Sequence, residues 1–339
     1  MSMNKDMSDA MVAAATLFSV LFVTACATTA GLVGFGKESE KQIAAASCAA
    51  EDKLLDRWST ISGILQGRPK RTPAQPNPPL ERIRLIAPAA VAAQSVDIFI
   101  ADTVHKKIFR YDRATQIIST FVEVPEMGNQ VQLYVDRGLS VYLVDQFSAK
   151  TTQYDIDGRA LQVFANTAEL PQPVAAAVDD VQAEVYVADQ LRAHVLVFNR
   201  AGSVNRVVNA PRSGKTTIQS IAAMTFADNQ LYIVDSVNHE VHAMSPTGSY
   251  RFSFGGDELV SPAMVAVDGL NRVFVADTVT SSIKVYKGGL FVTEIGGQDN
   301  ELSGEFQLIS GLWADNDLLY VADAAGASVK IFRILPPCA

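Results

Sequence analysis

The sequence predicts an all-β chain folded as a six-bladed β-propeller of four-stranded antiparallel blades, and three observations predict it. Six short apolar runs end on aspartate: Ile100-Ala101-Asp102, Val144-Asp145, Val187-Ala188-Asp189, Ile233-Val234-Asp235, Val275-Ala276-Asp277 and Val321-Ala322-Asp323. These aspartates recur every 42 to 46 residues, a period of radial repetition. Each period holds four strand-like runs separated by turn residues. The last period lacks its fourth run, while a surplus run precedes the first.

The N-terminal segment comes first along the chain. Met11 to Ala25 is an apolar run of export-signal length followed by Cys26. Val23-Thr24-Ala25-Cys26 resembles a bacterial lipobox. The resemblance implies a lipoprotein signal peptide over residues 1–25, lipidation of Cys26 and, since Ala27 follows instead of aspartate, passage to an outer membrane. No charge occurs from Ala10 to Gly36, which also suits a single uncleaved membrane helix of about 20 residues or a buried core helix. The first two readings both export the rest of the chain, to the periplasm or the cell surface.

Residues 26–79 are expected to form the tether. Leu54, Leu55 and Trp58 fall three and four apart, which predicts a helix around Glu51–Trp58, either a stalk resting on the ring or a docking helix. Gly67 to Pro79 reads as an extended proline-rich linker. Cys48 and Cys338 are either a disulfide that locks the ring in an oxidising compartment or two free thiols.

Residues 80–339 supply the blades. Pro262 to Asp268, Arg272 to Ala276, Ile283 to Tyr286 and Leu290 to Ile295 read as the four strands of one blade. Asp268-Gly269 and Lys287-Gly288-Gly289 sit where hairpins need residues tolerant of positive φ. The last blade stops after Val329 to Ile334, so Glu81 to Ile86 is expected to supply its fourth strand and close the ring.

These lines resemble the NHL repeat family, on Asp235-Ser-Val-Asn-His-Glu-Val241, Asp277-Thr-Val-Thr-Ser-Ser-Ile283, and Gly296-Gly297 followed by Gly304-Glu-Phe306. The likeness runs from about Ile83 to Ile334 and departs most at Asp145-Gln-Phe-Ser-Ala-Lys-Thr151. It implies fold more than activity. Six-bladed relatives include peptidyl-hydroxyglycine lyases and gluconolactonase-like enzymes, which hold a metal near the channel mouth.

Composition narrows the function. The net charge of -8 and pI near 5.1 argue against nucleic acid, which needs clustered Lys and Arg. The sequence contains no Cys-x-x-Cys, Gly-x-Ser-x-Gly or His-Glu-x-x-His and no phosphate loop. Residues that could meet on one face are His105, His194 and His239, in or beside turns between second and third strands. Blade links on that face carry Glu126, Glu169, Asp257, Glu258, Asp299 and Glu301.

These residues either hold Zn²⁺ or Ca²⁺ or are solvated turn residues, and the unequal offsets of the histidines from their blade aspartates favour the second. The blade aspartates are expected to cap turns, and no cofactor is required. The leading expectation is a membrane-tethered scaffold that binds envelope proteins or a small ligand through its loops. The alternatives are a metal-dependent lyase or lactonase-like hydrolase and, below it, a polysaccharide or peptidoglycan binder.

Overall fold

The computed structural model describes residues 54–68, 79–166, 168–209, 217–297 and 305–335. Three short strands, β1 (Leu55–Ile61), β2 (Leu65–Gly67) and β3 (Glu81–Ile83), precede the first inner strand. The first blade is β4 (Pro88–Gln94), β5 (Asp97–Asp102), β6 (Lys107–Asp112) and β7 (Ile117–Glu123); the second is β8 (Val131–Val135), β9 (Val141–Asp145), β10 (Lys150–Tyr154) and β11 (Ala160–Phe164). The third is β12 (Pro173–Asp179), β13 (Glu184–Asp189), β14 (His194–Asn199) and β15 (Val204–Asn209). The fourth is β16 (Ile221–Ala227), β17 (Gln230–Asp235), β18 (Glu240–Met244) and β19 (Tyr250–Phe254). The fifth is β20 (Pro262–Val267), β21 (Arg272–Asp277), β22 (Ser282–Lys287) and β23 (Leu290–Gly296), and the sixth begins with β24 (Ile309–Asp315), β25 (Leu318–Asp323) and β26 (Ser328–Ile334). Each is an antiparallel meander, and successive inner strands touch all round the ring, β24 against β4 included. The six-bladed propeller is therefore as the period predicts.

The closing strand is not the expected one. β1 pairs antiparallel with β26 from Leu55 opposite Ile334 to Ile61 opposite Val329 and completes blade six. Glu81–Ile83 instead pairs with β2, which runs parallel to β7 in the sheet of blade one. Tertiary pairing overrides the helical spacing of Leu54, Leu55 and Trp58: an open edge on β26 offers backbone partners that a lone short helix lacks. Leu55 and Ile61 are buried at the two ends of β1. Trp58, expected on an apolar helix face, lies at the β-bulge of this edge, with the guanidinium groups of Arg113 and Arg333 over its ring at 4.9 and 5.6 Å. The ring thus takes in residues placed in the tether by sequence. Cys26, Cys48 and Cys338 and the export segment lie outside the described residues.

The core repeats as the blades do. Three residues before each blade aspartate stands a buried aromatic: Phe99, Tyr142, Tyr186, Tyr232, Phe274 and Tyr320. These rings bury large apolar area between adjacent blades. Four residues after each aspartate the backbone is left-handed, at Lys106, Ala149, Ala193, His239, Ser281 and Ala327 (φ 46° to 56°). At the joint between blades six and one, a Cβ on Gly311 would stand 2.9 Å from Val91 N and 3.0 Å from Ala90 Cα, so only glycine lets the inner strands approach this closely. Ser310 Oγ donates to Pro88 O across the same joint at 2.6 Å.

Candidate functional site

The blade aspartates are structural, as expected. Asp102 Oδ2 accepts from Ile86 N (2.7 Å) and Ala87 N (3.2 Å), and its Oδ1 accepts from Val104 N and His105 N (both 3.1 Å). Asp277 repeats the pattern with Val260, Ser261, Val279 and Thr280. Each carboxylate ties the start of its blade to the turn between strands two and three. In blades four to six, His242, Lys284 and Lys330, seven residues on, approach the same carboxylates: 3.7 Å to Asp235, 3.4 Å to Asp277 and 2.9 Å to Asp323. Lys284 and Lys330 also donate to the link carbonyls of Glu258 and Glu305. Burial would raise the three carboxyls, but backbone N–H donors and these third-strand side chains outweigh it. All three are held below the ordinary aspartate range.

The expected ligand face does not converge. His105 Nδ1 lies 3.2 Å from Asp102 Oδ1 within its own blade turn. His239 occupies the left-handed turn position of blade four and is exposed. His194 opens β14, where its Nε2 is 2.7 Å from Glu169 O and 3.9 Å from Glu169 Oε2. Glu126, Asp257 and Glu258 are exposed in links of other blades, while Asp299 and Glu301 lie outside the described residues. Only His194 and Glu169 of this set are brought together, and the offsets of three, four and five residues from the blade aspartate are why. Among the described residues no group of three or more His, Cys, Asp or Glu could hold a metal ion.

The channel has two unlike mouths. On the face of the blade links, a cavity of about 440 Å³ is lined by side-chain amides, including Gln130, Gln132, Gln146 and Gln190, with small apolar groups and no ionisable side chain among its described lining. Its described wall therefore supplies hydrogen bonds but no proton-transfer group. Around it stand residues that sequence reasoning missed. Two positions after the blade aspartate, Val104 (57% exposed), Phe147 (84%), Leu191 (71%), Val237 (53%) and Val279 (68%) point to solvent from five of the six blades. Gln146 Nε2 donates to Gln190 Oε1 at 2.9 Å and locks two of these turns side by side. The repeat itself carried the signal: an apolar residue at one turn position in five successive blades.

On the opposite face, that of the hairpins between first and second strands, a cavity of about 570 Å³ opens over Trp313, Tyr134 and Phe226. Trp313, on the inner strand β24, lines the channel, with its ring 5.1 Å from that of Tyr134 at 79°. The two hold the same place in their inner strands, each opposite a second-strand tyrosine, where other blades have Ala92, Ala177, Thr225 and Ala266.

No protein-family model matches the sequence, and no curated protein matches it. Solved structures do. A protein of unknown function from Bacteroides thetaiotaomicron superimposes with TM-score 0.61 at 13% identity, over 81% of this chain and 76% of that one. Virginiamycin B lyase from Staphylococcus aureus gives 0.54 at 10% identity, over 76% of this chain and 85% of the lyase. A chain of the nidogen/laminin complex gives 0.53 at 17% identity, over 63% and 83%. At these identities the likeness shows a shared propeller fold.

Proposed function

We propose that this chain is an NHL-type binding propeller, exported and tethered through Cys26, whose link face contacts a protein partner within an envelope assembly. One observation carries the binding reading: five large apolar side chains are held exposed at the same turn position of five blades around an uncharged mouth. Exposed apolar side chains repeated on one face and rimmed by polar groups offer a contact surface. Rigid, turn-mounted prongs also lose little freedom on docking. The tether rests on the apolar run ending at Cys26.

The lyase or lactonase reading would need His105, His194 and His239 near the channel, and these sit in separate blade turns. Two measurements test the proposal. In detergent extracts of the native membrane, the full chain should migrate in an assembly larger than the monomer, and the double variant Phe147→Asp and Leu191→Asp should migrate alone. Unchanged migration of the variant would count against the link face. Metal content of the purified chain tests the alternative: one metal per chain, lost when His105, His194 and His239 become alanine, would favour the enzyme.

A further inference from the structure

The hairpin-face mouth takes no part in that reading, and its chemistry differs from that of the link face. We propose that it is a binding site for a compact organic cation, an alkylammonium or guanidinium group, seated on Trp313, Tyr134 and Phe226 and held by Asp228 and Asp315.

The cavity, at about 570 Å³, falls within the range of small-molecule sites. Its floor is aromatic by substitution at particular places in the repeat. Trp313 and Tyr134 replace the alanine or threonine that four other inner strands carry, and they meet edge to face in the channel. Phe226, one residue further along its own strand, stacks on Tyr186 at 5.7 Å and 10°. Aromatic faces attract cations, tryptophan most strongly.

The charges of the lining are unequal. Asp179, Asp180, Asp228 and Asp315 face one basic residue, Arg137. Two of the four are already engaged. Asp179 Oδ1 accepts from Val181 N and Gln182 N, and Asp180 is paired with Arg200 at 3.1 Å. Among the described residues Asp228 accepts from Asn271 Nδ2, at 3.1 Å, and Asp315 from Ser95 N and Asn316 Nδ2, at 3.0 and 2.9 Å.

All these donors are neutral. Among the described residues neither Asp228 nor Asp315 lies within ion-pair distance of a basic side chain. Burial comes first among the influences on Asp315 and pushes its carboxyl above the ordinary range, against the opposing pull of Ser95 N–H and of the Arg113 guanidinium, which stays beyond ion-pair distance. A bound cation would supply a direct partner.

The ligand class is therefore a compact cationic head group, for which choline is a suitable probe.

The chain has two tryptophans, so the full-length Trp58→Phe variant leaves Trp313 as its only indole reporter. Titration with choline chloride should change Trp313 emission saturably, whereas sodium chloride at matched ionic strength, glucose and benzoate should not. In the same background, Asp228→Asn with Asp315→Asn should weaken choline by about tenfold or more while the melting temperature stays within a few degrees. Calorimetry on the unsubstituted chain supplies a second reading that does not depend on any variant folding. The proposal is overturned by the absence of a saturable choline response in both measurements, by equal affinity in the double asparagine variant, or by an equal response to glucose or benzoate. The link-face variant at Phe147 and Leu191 should bind choline unchanged, so failure here and failure of the partner-binding reading are separable.

Discussion

Leu55 stands opposite Ile334 across an antiparallel edge, so the first strand of the described chain and the last close the ring on each other. Both side chains are buried in one cluster with Phe332 and Leu319. Ile61, at the other end of β1, is buried with Ile83 and Leu85 against blade one. A strand of seven residues thereby reaches the cores on both sides of blade six.

Removal through Ile61 should lower the melting temperature of the ring below that reached on removal of residues 1–53. The longer truncation exposes the edge of β26 and the partners of two fully buried aliphatic residues, each contributing about 1.5–3 kcal/mol. For a domain of this size the drop should be on the order of 10 °C. Equal melting temperatures for the two truncations would refute this closure.

Asp277 should be among the least replaceable residues. Asp277→Ala removes the acceptor of four backbone N–H groups and leaves Lys284 buried without its carboxylate. Breaking a buried pair in this way costs about 3–5 kcal/mol. The folded-state values of Asp235, Asp277 and Asp323 lie below the ordinary aspartate value of 3.8. Their contribution is therefore fully present above that value and is lost as pH falls through the lower folded values. Urea melts from pH 7 down to pH 3 should show stability falling below about pH 4, with a shallower fall in Asp277→Asn.

Gly311→Ala tests how tightly blades six and one meet. Its Cβ would press on backbone atoms of Val91 and Ala90, which cannot rotate away. The expected loss is about 1–3 kcal/mol by overpacking, seen as a lower urea midpoint with unchanged slope. The same substitution at Gly269, where a Cβ meets nothing within 4 Å, should have much less effect.

The fold was legible because each blade spells the same strand ends, and the aspartate spacing alone counts the blades. The closure was not legible locally. Leu54, Leu55 and Trp58 fit a helix face, and only the open edge of β26, distant in sequence, decides for a strand. The separation of the histidines could be read from their unequal offsets, which place each at a different position of its own blade turn. The apolar turn residues and the Trp313–Tyr134 contact required the repeats to be aligned position by position. Their meaning lies in exposure and in contact across the channel, which no single period displays.

Partner contact through the link face is open to a direct test. A photo-crosslinking residue placed at Leu191, 71% exposed on that face, and in a second variant at Val181, 82% exposed on the hairpin face, tests it directly in intact cells. Comparable exposure makes the two sites a matched pair. A discrete crosslinked protein is expected from position 191 and none from position 181; the same product from both, or a product from 181 alone, would rule out contact confined to the link face.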